Sequence, residues 1–197
     1  YEIELELDNT RVGIGTQYET SEKIMIALRK GIRMVLSGIQ GSNYPIPFSE
    51  RNRVYHSYMK MLHDKDYNET EFKKIHPINF IGPDSYTLQM ENIVLENTDT
   101  NIPNIRNDYS VTDKADGDRK MMFVNEEGRI YFIDKNMNIT FTGCKTTEKT
   151  VFLSLIDGEH IKYDKAQNFI NLYAAFDIYF VGNKNVRNKS FMYDDLD

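Results

Sequence analysis

The chain has 197 residues, with 24 Lys and Arg against 30 Asp and Glu, a net charge of −6, and one Cys. That length suits one sizeable domain, or one domain with a fragment of another, and the 40% hydrophobic and 27% charged content excludes a disordered chain. The apolar runs are too short to span a bilayer, no N-terminal signal peptide is visible, and the lone Cys144 excludes an internal disulfide framework, which suits a reducing compartment.

In YEIELELDN, Glu2, Glu4 and Glu6 alternate with Ile3, Leu5 and Leu7. A period of two predicts a strand with its carboxylates on one face. Such a row is either solvated or able to hold a hard divalent cation. These acids, Asp8, and Asp194, Asp195 and Asp197 at the other end account for the whole negative balance. Without them the interior holds 24 bases and 23 acids, so the charge does not exclude a nucleotide or RNA partner. Both ends read as cut from a longer polypeptide.

VGIGT at 12–16 is neither a P-loop nor a dinucleotide loop and reads as a connector. Thr20-Ser21-Glu22 opens a helical pattern running through Ile24, Leu28, Ile32, Val35 and Ile39, with Gly38 and Gly41 as stop signals. Ser49 is the expected N-cap of a second helix over 50–63, and a short third helix is expected over 69–75. Met25, Met34, Met59 and Met61 are expected as core filler. His56 and His63 share a helix face but have no third ligand, so a structural role is expected. Residues 85–95 are expected to be partly extended, and 97–107 to form a polar loop.

After Tyr109 the pattern turns to strands: RKMMFV, RIYFI, MNITFT, TVFLSLI, HIKYD and NLYAAFDIYFV. NEEG, DKN and DGE read as turns among them, with Gly128 in the left-handed region. Helices first and an antiparallel meander second predict an α+β fold.

Three clusters carry chemistry. Lys114, Asp116, Gly117 and Arg119 form Lys-x-Asp-Gly-x-Arg on a loop expected between strands. A Lys near cations or in a dry pocket loses its proton and becomes a nucleophile, Gly117 permits a tight turn with phosphate approach, and Arg119 offers a planar donor fork. Read alone, the same residues describe a polar hairpin. Asp157-Gly158-Glu159 follows, again readable as a hairpin turn. Then Asp177 sits in an apolar strand, where a buried acid needs a partner or a metal, with Phe176 on the opposite face.

In this order the three clusters resemble motifs I, III and IIIa of the covalent nucleotidyltransferases, the superfamily of mRNA-capping guanylyltransferases and ATP-dependent polynucleotide ligases. FIGPDSYTLQ at 80–89 and VTDKADGDRKMMFV around motif I are similar to the capping enzymes of large nucleocytoplasmic DNA viruses. The resemblance implies a nucleotidyltransferase core, ATP-grasp-like, with antiparallel sheets and N-terminal helices. It implies that residues 1–18 are the end of a tunnel-type RNA triphosphatase, with Glu4 and Glu6 on its metal-binding strand in the intact protein. Residues 19–197 would be the N-terminal part of a guanylyltransferase domain with its motifs at 114–181. No counterpart of the acidic motif IV, the Lys-rich motif V or the OB-fold lid is found after 181, which leaves the phosphate-gripping half of the site outside this chain.

The implied reaction transfers GMP from GTP, through a lysyl–GMP on Lys114, to diphosphate-ended RNA. Asp113, Asp116, Arg119, Glu159 and Phe176 would bind the nucleotide, Arg119 and Glu159 at the ribose and Phe176 stacked on the base. Mg²⁺ or Mn²⁺ would assist, with Glu159 as a possible ligand. Implied partners are GTP, the 5′ end of nascent viral mRNA, and triphosphatase, OB-fold and, as an option, methyltransferase domains of the same polypeptide, in the host cytoplasm (the viral factory) or the virion, with no membrane partner. An ATP-dependent polynucleotide ligase, or a non-catalytic module binding RNA or a partner, are the alternatives.

Overall fold

The computed structural model describes residues 2–71, 74–95, 102–107 and 109–189. Residues 2–8 belong to no strand, against expectation, and Glu2, Glu4 and Glu6 are exposed. Alternation alone does not make a strand when no neighbouring strand supplies the ladder. Leu5 instead packs over a glycine of the first helix: a Cβ on Gly31 would lie 2.7 Å from Leu5 Cδ2.

Helix α1 spans Ser21–Gln40. Thr20 caps it by accepting from the Lys23 amide, Glu22 complements the positive end of the dipole, and Gly41 closes it at φ 58°. Gly38 lies inside the helix rather than ending it. None of its residues is fully buried, and Met25 and Met34 are exposed, so they are not the core filler expected. Met59 and Met61 do fill the core. Helix α2 spans Phe48–His63 and begins one residue before Ser49, with Pro47 at the N-cap and no side-chain cap. Pro47 pre-sets the entry and its missing N–H costs nothing there. The expected third helix starts with a turn at 69–71 and otherwise falls partly outside the described residues; 85–95 holds only a short 3-10 turn at Met90–Asn92, and the first part of the 97–107 loop is likewise outside them.

Six strands form one antiparallel sheet: β1 Asp118–Val124, β2 Arg129–Ile133, β3 Ile139–Lys145, β4 Ser154–Tyr163, β5 Phe169–Val181 and β6 Lys184–Asn185. Their order is β3-β2-β1-β4-β5-β6. The first three make the expected meander. β4 then returns to the free edge of β1 instead of extending from β3. DGE is no turn: Asp157, Gly158 and Glu159 lie in the middle of β4. Gly158 is there for space, since a Cβ would sit 2.6 Å from the Ala174 carbonyl and 2.6 Å from the Tyr173 ring. Gly128 does take the left-handed region, at φ 77°. Mixed helix and antiparallel sheet bear out the α+β expectation.

One sheet face packs on α2, with Val54, Tyr55, Tyr58 and Met59 against Met121, Phe123, Tyr131 and Ile133, all buried. Glu50 of α2 is buried too. It accepts from the Tyr131 hydroxyl at 2.8 Å and pairs with Arg129 at 2.8 Å, whose guanidinium lies 4.2 Å from the Phe141 ring centroid. A buried charge with a counter-ion and a neutral donor is tolerated where a lone one would not be. Tyr58 donates to the Asn79 carbonyl at 2.8 Å and accepts from the Ile81 amide at 3.2 Å, while Tyr55 reaches Lys74 O and Asn79 Oδ1. Helix α2 thereby fixes the stretch that leads to Phe80 and Pro83. Among the described residues no helix is long and apolar enough to cross a membrane.

Candidate functional site

Arg119 leaves β1 directly opposite Glu159 of β4, and Met121 stands opposite Asp157. Opposed residues of an antiparallel pair share a face, so Arg119, Asp157 and Glu159 lie together on the core-facing side, at its open end. The Arg119 guanidinium grips Asp157 with both prongs, Nε to Oδ1 at 3.1 Å and Nη2 to Oδ2 at 2.5 Å, and Nη1 donates to the Pro83 carbonyl at 2.5 Å. Asp157 is 0% exposed and also accepts from the Tyr179 hydroxyl at 2.9 Å. The Asp157 hydrogen bonds hold Arg119 above its already high pKa, so its charge is permanent. Burial, and then the Asp157 carboxylate, push the Tyr179 hydroxyl up, so it stays a donor.

Two phenylalanines flank this cation. The Phe80 centroid lies 5.9 Å from Arg119 Cζ and that of Phe176 6.0 Å. Phe176 lies two residues beyond Ala174, the partner of Glu159, and so shares their face, while Tyr179 joins it because β5 is irregular. Gly158 pairs with Ala175 and Asp157 with Asp177, leaving Phe176 as an extra residue, and in the same way Leu155 pairs with Phe180 and Ile156 with Ile178, leaving Tyr179. A bulge re-aims a side chain that strict alternation would place elsewhere. Both extra residues point at the Arg119–Asp157 pair. The expectation that Phe176 and Asp177 take opposite faces assumed an unbroken strand. Asp177 is also not the buried acid expected: it is half-buried and accepts from the Ile178 amide, while Asp157 is the acid that burial and pairing single out.

Lys114 precedes β1 on a stretch without regular structure, and among the described residues no strand lies on its N-terminal side. It is not in a dry or cationic pocket. Its side chain is 85% exposed and paired with Asp116. That hydrogen bond, then the Asp116 charge, raises the Lys114 pKa, with Glu159 adding to it. The amine is therefore held protonated here, the reverse of the activation argued from sequence. Asp113 is exposed. Gly117 makes no left-handed turn; a Cβ there would lie 2.7 Å from the His160 carbonyl, so its bareness lets the Lys114 segment lie close on β4.

Among the described residues, no three His, Cys, Asp or Glu side chains gather to hold a metal ion by themselves. Mg²⁺ is usually held by one or two carboxylates together with substrate phosphates. Glu159 fits that partial role, because its Oε2 is buried without a hydrogen-bond partner. Glu4 and Glu6 are exposed and share no sheet face. His56 takes a structural place, its Nδ1 2.7 Å from the Tyr67 hydroxyl.

The sequence thus pointed to Lys114, Asp113, Asp116, Arg119, Glu159 and Phe176, and the fold brings the last three together, with the Glu159 charge acting on the Lys114 amine. It missed Tyr179, Phe80 and the Pro83 carbonyl, and gave Asp157 no task. Phe80 and Pro83 stood in FIGPD, where a Gly between bulky residues marks close packing: a Cβ on Gly82 would meet Phe80 at 2.5 Å and Arg119 Nη2 at 2.9 Å.

The chain is 29% identical over 187 residues, 95% of its length, to the "Probable mRNA-capping enzyme" of Acanthamoeba polyphaga mimivirus, and spans 13% of that protein. The resemblance to viral capping enzymes is borne out. The family described as "mRNA capping enzyme, catalytic domain" matches residues 79–194, from the loop over Arg119 to beyond β6. That match takes in more than half of the chain, and the chain belongs to the mRNA capping enzyme catalytic-domain family.

Proposed function

We propose that this chain is the Lys114-bearing part of an mRNA 5′-cap guanylyltransferase. The observation that carries the reading is the convergence of Arg119, Glu159 and Phe176 at one open end of the sheet, just downstream of the Lys114 stretch that leads into β1, within a capping-enzyme family match. The neutral Lys114 amine attacks the α-phosphorus of GTP. An N–P bond forms, the bond to the pyrophosphate oxygen breaks, and the nitrogen gives up one proton to solvent or pyrophosphate. The terminal phosphate of a diphosphate-ended RNA then displaces Lys114 and takes the GMP. Both steps are in-line transfers governed by positioning and charge neutralisation.

Arg119, held flat against Asp157, presents its remaining donors to the ribose. Glu159 offers its unpartnered Oε2 to a ribose hydroxyl or to a divalent ion, and Phe176 offers a ring face to the base. Mg²⁺ or Mn²⁺ bound there would neutralise phosphate charge. Stacking is sequence-tolerant, so the choice of guanine falls to polar contacts with the base edge. Residues 1–18 as the end of a triphosphatase, and RNA, lid and methyltransferase partners, belong to the same proposal for the intact polypeptide.

Incubation of the full-length protein with α-labelled GTP and Mg²⁺ is expected to leave acid-labile label on Lys114. Lys114→Ala is expected to abolish it. Label from ATP but not GTP would replace the reading with a polynucleotide ligase. RNA binding without any covalent nucleotide would replace it with a binding module.

A further inference from the structure

We infer that Tyr179 is a positioning residue of the transfer reaction, acting through Asp157 to fix the orientation of Arg119; as a statement about catalysis this rests on the function proposed above. Asp157 is fully buried, and its two oxygens take both prongs of Arg119. A carboxylate so placed has further acceptor capacity, and leaving it unmet in a dry site is costly. The Tyr179 hydroxyl meets it at Oδ2, the oxygen that also receives Arg119 Nη2. With donors on both sides, the carboxylate has one favourable rotation, and the guanidinium plane follows it. Pro83 O then fixes the third nitrogen.

The backbone supports a dedicated role. Tyr179 is the extra residue of a bulge, and so is Phe176. Counted from Ala174 opposite Glu159, a regular strand would have turned Tyr179 away from this site. Tyr179 is 5% exposed and part of the core cluster, so its ring packs whatever its hydroxyl does. Tyr179→Phe keeps that ring and removes only the donor. A hydrogen bond to a charged group lost in this way is expected to cost about tenfold in kcat/KM for GTP.

The test is a double-mutant cycle in the full-length protein, reading lysyl–GMP formation with Tyr179→Phe, Arg119→Lys and both. If Tyr179 acts through Arg119, the loss seen with Tyr179→Phe alone vanishes in the Arg119→Lys background. An equal loss in both backgrounds, or none in either, overturns the inference. A measurement on the wild type needs neither variant nor nucleotide: the Tyr179 hydroxyl proton and the Arg119 Nε proton are expected to exchange slowly with solvent by NMR. Fast exchange of both overturns the inference. Slow exchange in a protein that takes no label from GTP would sink the guanylyltransferase reading and leave the Tyr179–Asp157–Arg119 clamp standing.

Discussion

Lys114 and Asp116 form an exposed pair whose hydrogen bond raises the lysine pKa. The nucleophile is the neutral amine, so covalent GMP formation is expected to climb with pH until Lys114 deprotonates. Asp116→Asn removes the pair and lets the pKa fall towards the ordinary value. The rising limb of the pH–rate profile for labelling is therefore expected to move to lower pH in this variant. An unmoved limb would show that Asp116 does not set the protonation of Lys114. Lys114, Arg119 and Glu159 were legible in the sequence because their chemistry survives any local geometry. The state of Lys114 was not, because a pKa depends on neighbours in space, and the fold sets Asp116 against the amine.

At the scale of elements, helix α2 reaches the site through the loop it braces. Tyr58 is fully buried and serves the Asn79 carbonyl and the Ile81 amide with one hydroxyl. Tyr58→Phe leaves both backbone groups without that partner, at a cost of about 1–3 kcal/mol in chemical denaturation. It is also expected to weaken GTP labelling, because Phe80 and Pro83 follow directly. Unchanged stability would show that water replaces the hydroxyl. The helices themselves were readable from their 3.6 periodicity, and most strands from their apolar runs. β4 was misread because Asp-Gly is a turn signal by itself. The crowding by Tyr173 and Ala174 that demands a glycine in mid-strand is visible only once β5 is paired. The bulges of β5 were unreadable for a related reason: a bulge is a mismatch between two strands, and one strand alone does not contain it.

For the whole molecule, the family match starts at residue 79, but the hydrophobic core does not. Val54, Tyr55, Tyr58 and Met59 of α2 share one cluster with Met121, Phe123, Tyr131 and Ile133 of the sheet. A chain cut to begin at residue 79 would expose that sheet face and strand the Arg129 charge whose partner is Glu50. It is expected to show non-cooperative thermal unfolding and weak near-ultraviolet circular dichroism, where the longer chain unfolds in one transition. A cooperative transition in the cut chain would show that the sheet finds its own cover.

The bulges have a consequence for how this protein tolerates change in length. Between the pairs Glu159–Ala174 and Leu155–Phe180, β5 spends two more residues than β4. Two is an even number, so face parity is restored beyond the second bulge, and Phe180 returns to the core side it would occupy in a plain ladder. Deleting Phe176 or Tyr179 alone would remove one unpaired residue and leave the flanking pairs in register. Deleting both would leave the sheet in phase while erasing the aromatic ring and the hydroxyl that attend Arg119. Foldedness and the site are therefore written into the same strand as separable quantities, one in its paired residues and the other in its surplus.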